Sequence, residues 1–361
     1  MPKIRFIDIV FILFAVLTVF HYNYRPACNW DMLPYMAIVL ERSEPDINKV
    51  HQQVYSLVKE AEQKGEIASG TFGELTGRTH YKAACYADAE QFGNELTYYR
   101  AKPLYTTLVW LLYLAGVPLI LSTLIPSLIA GLGTLIILYV WMANYSSRYI
   151  AIVPVAFIAM LNIFTSLQNS SSPDMLSTFF LLVSFYLLDT NKSKWLIACM
   201  LALAVLTRID NFIPAGVAGY ILLSAGRKNV WKAAGIALLI SVVAVLLIPL
   251  MTGNTLTWFT KFKFLESHVQ YYFHVRNVFR EIAANSSYWF WMAIGLFLLI
   301  LRRKENMTLM TIVTASVVIR LVLFPSLQER FFAVYEFTLI VILLKTAAIY
   351  YNKNFKPLQA T

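Results

Sequence analysis

Three groups of residues carry the chemistry this chain could do, and each stands beside an apolar run. The first is Cys28-Asn29-Trp30-Asp31-Met32-Leu33-Pro34-Tyr35. Asp31, partly desolvated at a lipid–water boundary, could take the proton of an acceptor hydroxyl as a general base. A helix cap or a solvated turn acid uses the same spacing. The second is Tyr98-Tyr99-Arg100-Ala101-Lys102-Pro103-Leu104-Tyr105. Arg100 and Lys102 at the start of a membrane-surface helix could grip a lipid phosphate beside free backbone N–H groups. Snorkelling cations in an aromatic belt are the structural alternative. The third joins Ser170-Ser171-Ser172-Pro173-Asp174-Met175, Leu206-Thr207-Arg208-Ile209-Asp210-Asn211 and Pro325-Ser326-Leu327-Gln328-Glu329-Arg330-Phe331. Ionisable groups at membrane depth are costly and default to functional candidates, although Asp174 could only cap its helix and Arg208 only pair with Asp210. Arg320 falls inside an apolar stretch, so it needs a partner or a water-filled cavity.

These residues must be positioned by helices in lipid. Of 361 residues 58% are hydrophobic and 14% charged, against about 25% charged in a soluble domain. The mean hydropathy is +0.61. A soluble enzyme, a secreted module and a nucleic-acid-binding protein are thereby excluded. The net charge of +10 then belongs to cytoplasmic loops under the positive-inside rule. Apolar stretches fall near 6–20, 104–142, 149–167, 175–188, 195–206, 212–225, 233–251, 288–301, 308–324 and 331–350. The first is read as a retained span rather than a cleaved signal, since no small-residue cleavage site follows it.

Charge decides how 104–142 is divided. If it crosses once, thirteen basic residues (Lys3, Arg5, Arg148, Lys192, Lys194, Arg227, Lys228, Lys232, Arg302, Arg303, Lys304, Lys353 and Lys356) share one side, with Glu305 as their acid. If it crosses twice, that bias collapses. The expectation is therefore an interfacial or re-entrant helix over 104–120, a span over 122–142, ten spans in all and both termini cytoplasmic. The fold class is all-α, a single polytopic domain over 1–361. Its extracytoplasmic first loop, 22–103, holds juxtamembrane helices, and a second extracytoplasmic segment covers 252–287. The first loop contains nine basic and eleven acidic residues, so the cationic excess lies elsewhere.

The motifs, taken in order, resemble those of the GT-C membrane glycosyltransferases, the group of protein O-mannosyltransferases, lipid A aminoarabinose transferases and bacterial lipopolysaccharide-core transferases. Tyr99-Arg-Ala-Lys102-Pro103-Leu-Tyr105 is similar to the run that opens their interfacial helix. Pro126-Ser127-Leu128 through Gly131, Gly133 and Thr134 resembles their second span, Ser171 to Phe180 the start of their fourth, and Leu206 to Asp210 their fifth-to-sixth turn. Gln328-Glu-Arg330-Phe331-Phe332 is similar to their late Arg-Tyr motif, with Phe331 in place of Tyr. The resemblance implies a sugar transferred from a polyprenyl-phosphate donor to an extracytoplasmic glycolipid, polysaccharide or protein. It puts Asp31 in the place of the acceptor-engaging acid, though Trp30-Asp31-Met32 replaces the family's usual paired acids. It puts Lys102 in the place of the lysine that holds the donor phosphate.

The expected roles follow. Asp31 is the catalytic candidate; Lys102, Arg100, Arg208 and Arg330 bind the donor phosphate; Tyr35, Tyr99, Asp174 and Asp210 contact acceptor or sugar. No cofactor is expected, and no metal site is indicated: His268 and His274 are six apart, which no single helical face accommodates. The expected location is a bacterial inner or plasma membrane, multi-pass, with the site on the outer side. Two rivals stay open: a lipid-linked-saccharide flippase, which predicts charges lining a path across the bilayer where the interior ionisable residues are few (Asp8, Arg320, Glu336 and Lys345), and a non-catalytic envelope assembly partner. Cys28 and Cys85 share the first loop, and a disulfide between them is expected there, whereas Cys199 lies in a span.

Overall fold

The computed structural model describes residues 5–22, 28–224, 291, 294–295, 297–298, 306–323 and 328–355. The expected span 233–251, the segment 252–287 with its two histidines, and most of 288–301 lie outside the described residues. The described elements are helical, with no strand among them. In chain order they are α1 (Phe6–Tyr22), α2 (Met32–Leu40), α3 (Ile47–Gln63), α4 (Thr71–Gly77), α5 (His80–Ala87), α6 (Ala89–Arg100), α7 (Pro103–Leu114), α8 (Leu119–Ala143), α9 (Arg148–Met160), α10 (Asn162–Gln168), α11 (Asp174–Asp189), α12 (Lys194–Thr207), α13 (Phe212–Ser224), α14 (Met307–Leu323) and α15 (Ala333–Phe355). Short 3-10 turns, Ile209–Asn211 and Glu329–Phe331, precede α13 and α15.

The first loop is a small helical layer built around α2. All nine α2 residues, Met-Leu-Pro-Tyr-Met-Ala-Ile-Val-Leu, are buried, because α2 packs against α3, α6, α7 and α8. An all-apolar helix needs such cover on every side. α3 is amphipathic instead, burying Val50, Val54, Tyr55, Val58 and Ala61 along one stripe. Side chains at the N-caps fix where these helices begin: Asp46 accepts from Asn48 N at 2.9 Å and Asp88 from Glu90 N at 2.8 Å.

Lys102 and Pro103 open α7, where proline's missing N–H costs nothing. The interfacial helix was expected over 104–120, but it ends at Leu114. Gly116 takes a left-handed φ of 86°, and Val117 N donates back to Leu112 O at 3.1 Å. This Schellman closure, with Pro118 two residues beyond Gly116, stops α7 and lets α8 start at Leu119.

Among the described residues two helices are long and apolar enough to cross a membrane, Leu119–Ala143 and Ala333–Tyr351. The expected span 149–167 is not one straight helix. Leu161 adopts extended dihedrals, and α9 and α10 meet at a bend of 69°, so together they count as a third candidate at most. Five further apolar helices run 10–17 residues: Phe6–His21, Pro103–Leu114, Lys194–Thr207, Ile209–Leu222 and Met307–Leu321. The chain is thus a helical protein with membrane-span candidates, and the described residues do not supply ten full-length spans.

α8 and α11 run in parallel and set the long axis. Thr123 donates to Ser171 Oγ at 2.9 Å and Ser127 to Ser172 O at 2.8 Å at one end; Trp141 Nε1 donates to Asp189 Oδ2 at 2.8 Å at the other. Small residues permit this approach. A Cβ on Gly133 would lie 2.7 Å from the Phe179 ring, and one on Gly131 3.0 Å from Gln168 Cβ.

No disulfide joins Cys28 and Cys85; both are free thiols. Cys85 is fully buried on α5 and Cys28 is half-buried ahead of α2. Burial pushes each thiol up to about 11. The expected bridge is corrected: the loop is held by packing on α2, a core that the short apolar runs of 22–103 did not advertise.

Candidate functional site

Six separate chain segments converge around the start of α2. Asp31, at the start of α2, receives hydrogen bonds on both carboxylate oxygens: Tyr99 Oη donates to Oδ1 at 2.8 Å and Arg330 Nη1 to Oδ2 at 3.1 Å. Tyr99 comes from the end of α6, so the helical first loop aims one side of the acid and the C-terminal half of the chain aims the other. Lys102, two residues past α6, donates to Tyr35 Oη at 2.8 Å and lies over the Tyr99 ring at 4.4 Å. Burial lowers the Lys102 ammonium to about 8, although Asp31 pulls the other way. Among the described residues no carboxylate forms an ion pair with it. Burial, helped by the nearby Asp31 charge, holds the Tyr35 and Tyr99 phenols above their usual range.

Beside this lies a chain of buried charges. Arg208 forks onto Asp210 at 3.0 and 2.8 Å and also pairs with Asp174. Arg320 donates to Asp210 Oδ2 at 2.6 Å, which supplies the partner its position in α14 demands. Burial raises the Asp210 carboxyl, but Arg208 and Arg320 outweigh it and hold the group below the usual carboxylate range. Asp174, 4% exposed, also accepts from Ser172 Oγ at 3.1 Å and has Arg330 Nη1 3.6 Å away. The Phe331 ring stands among three guanidiniums, with Arg208 and Arg320 at 4.6 Å and Arg330 at 5.1 Å from its centroid. A phenylalanine face is the electron-rich side of the ring, so it can sit among cations without a hydroxyl.

Hydrogen bonds to the loop before α11 fix this arrangement. Ser171 N donates to Asn29 Oδ1 at 2.9 Å, tying that loop to the residue two before Asp31. Asn211 Nδ2 donates to Ser177 Oγ at 2.6 Å and to Ala204 O at 2.8 Å, which pins the Arg208–Asp210 turn to α11.

Of the nine residues expected at the site, eight come together: Asp31, Tyr35, Tyr99, Lys102, Asp174, Arg208, Asp210 and Arg330. Arg100 does not join them. Its side chain points to α2's far end and forks onto Glu41, with Nε at 3.2 Å from Oε2. Helical spacing accounts for this, since Arg100 lies one residue from Tyr99 and so faces away from it. Arg208 is also committed, with two carboxylates on one guanidinium. The cations left for an incoming anion are Lys102, which has a neutral partner, and Arg330, whose side chain is 40% exposed. Asn29, Ser172, Arg320 and Phe331 were not expected as members; Arg320's buried charge was the one sequence signal that could have added it. Among the described residues no group of three or more metal-type ligands occurs.

Compared with known proteins, the chain matches no protein-family model, no curated protein and no solved structure.

Proposed function

We propose that the protein is an integral-membrane glycosyltransferase that takes a hexose or pentose from a polyprenyl-phosphate donor and attaches it to a glycolipid, polysaccharide or protein acceptor outside the cytoplasm. The observation that carries this reading is the juxtaposition of an oriented carboxylate with an unspent ammonium, Asp31 and Lys102, joined through Tyr99. In the proposed reaction the acceptor oxygen attacks the anomeric carbon while the bond from that carbon to the phosphate oxygen breaks. Asp31 takes the acceptor proton; the leaving polyprenyl phosphate keeps the bonding electrons, and Lys102 and Arg330 neutralise its charge. Arg208, Asp174, Asp210 and Arg320 act as a buried frame that holds Arg330 and the turn beside it. A multi-span embedding, with the shorter apolar helices completing the bundle, belongs to the same proposal.

A flippase reading would be favoured by ionisable groups strung through the bilayer. The described charges gather instead near the two ends of α11, Lys345 joining Asp189 from the middle of α15, and the stretches 175–188 and 337–344 carry none.

The test uses membranes holding the full chain and a labelled polyprenyl-phosphate sugar. Asp31→Asn is expected to lower transfer about a hundredfold or more while donor binding persists. Lys102→Ala is expected to weaken donor binding about ten- to a hundredfold, the worth of a hydrogen bond to a charged group. Unchanged transfer in both variants would overturn the reading; translocation without a new glycosidic bond would favour the flippase.

A further inference from the structure

Arg330 is shared by two carboxylates and fully committed to neither. Its Nη1 lies 3.1 Å from Asp31 Oδ2 and 3.6 Å from Asp174 Oδ2, and its Nε donates to Gln328 Oε1 at 2.9 Å. Its side chain is 40% exposed, against 12% for Arg208 and 6% for Arg320. It stands on a three-residue 3-10 turn, where a small backbone adjustment redirects a long side chain.

Neither acid depends on it for position. Asp174 keeps Arg208 and Ser172 when Arg330 leaves, and Asp31 keeps the Tyr99 hydroxyl. With Arg330 in place, however, each oxygen of Asp31 already accepts one hydrogen bond, and Arg330 covers the Oδ2 side. A hydroxyl arriving at Asp31 then finds no free acceptor lone pair in the direction of Arg330. A phosphate arriving beside Lys102 meets one ammonium without a carboxylate and one guanidinium in a partly exposed pair. Such pairs are weak and exchangeable, whereas a phosphate offers several oxygens to a guanidinium fork.

We propose that Arg330 passes from Asp31 to the donor's phosphate, so that the acid is masked in the empty protein and released for the acceptor only once the donor is bound. The inference rests on the glycosyltransferase reading and adds to it an order of binding, donor before acceptor, enforced by one shared cation. The chemistry recognised is a phosphate group; a polyprenyl monophosphate, a phospholipid headgroup and inorganic phosphate all carry one.

Carbodiimide coupling of glycinamide, read residue by residue by mass spectrometry on the full chain in lipid nanodiscs, measures how free Asp31 is. Polyprenyl monophosphate is expected to raise Asp31 labelling about fivefold, the release of a pair worth about 1 kcal/mol. Arg330→Gln is expected to label at that raised rate with or without the lipid. Arg330→Lys, which keeps the charge but loses the fork, should fall between the two and stands in if the glutamine variant does not fold. An equal rise with inorganic phosphate would assign the exchange to the phosphate group itself, whereas an equal rise with phosphatidylglycerol would overturn a donor-specific release. If polyprenyl phosphate binds, as native mass spectrometry reports, and labelling does not change, the exchange is wrong and the glycosyltransferase reading survives. If it does not bind at all, both fall.

Discussion

At the scale of single residues, Lys102 makes the sharpest claim. Burial lowers its ammonium to about 8, well below an ordinary lysine. A lowered lysine loses its charge as pH rises through that value, so the empty site keeps its cation below about 8 and loses it above. Binding of polyprenyl phosphate should therefore weaken as pH climbs from 7 to 9, and Lys102→Arg should flatten that limb because a guanidinium stays charged. A flat wild-type profile over that range would separate Lys102 from the phosphate. The free thiols give a second outcome. With both raised to about 11, on the order of one in ten thousand is thiolate near neutral pH. Cys28 and Cys85 should resist maleimide in the native protein and label fully on unfolding without reductant; protection that persists until reductant is added would restore the bridge. Residue types foretold much of this cluster and little of its pairing. Arg320 announced a partner because a buried guanidinium must have one, yet nothing in the sequence said Asp210, over a hundred residues away, rather than Asp174. Arg100 looked as well suited to phosphate as Lys102. Only the last turn of α6, which carries Arg100, and the start of α7, which carries Lys102, send one to Glu41 and the other to Tyr35.

At the scale of helices, local patterning and tertiary contact divide the work. The bounds of α11 and α12 lie within a residue of the apolar runs 175–188 and 195–206, because Pro173 and Ser193 punctuate the chain just ahead of them. The break at Leu161 was invisible, since one asparagine does not interrupt the apolar run 149–167 and hydropathy does not register one extended residue. α2 was invisible for a related reason: nine apolar residues are too few for a span, and periodicity cannot flag a helix buried on all sides. The α8 glycines were read only as part of a motif, and the structure gives them a physical task. Gly133→Ala would drive a methyl into the Phe179 ring at 2.7 Å, so the ring or the helix must move. Overpacking of this kind costs about 1–3 kcal/mol, and the thermal midpoint of the variant should fall accordingly. Phe179→Leu on the same background should recover part of the loss by clearing the ring, whereas a loss that persists would place the strain in the α8 backbone.

At the scale of the whole molecule, charge is sorted into two layers. One holds Asp31, Lys102, Asp174, Arg208, Asp210 and Arg330. The other holds Asp8 with Arg148, and Asp189 with Lys345, whose Nζ lies 2.8 Å from Asp189 Oδ1. α11 spans from one layer to the other in 16 residues, about 22 Å at 1.5 Å per residue. That is less than the roughly 30 Å of a typical hydrocarbon core, and it suits helices of the length seen in α12, α13 and α14 better than full-length spans. Exposed aromatics lie at the second layer: Phe6, Tyr149 and Trp195 are 81%, 70% and 87% exposed beside Arg5, Arg148 and Lys194. Bulky amphipathic rings next to basic residues are what a headgroup region selects. If these basic ends obey the positive-inside rule, the Asp189 layer faces the cytoplasm and the Asp31 layer faces out. Reporter fusions after Lys102 should then read as external and fusions after Lys194 as cytoplasmic, in cells, with the chain truncated at the fusion point. The two positions are joined by α7 at one surface, α8, the bent α9–α10 pair and α11, an odd number of crossings only if α7 stays on its own side. Matching signals at both positions would mean that α7 crosses. Tyr99 and Lys102 would then be carried apart from Asp174 and Arg208, and a site shared by one leaflet could not exist.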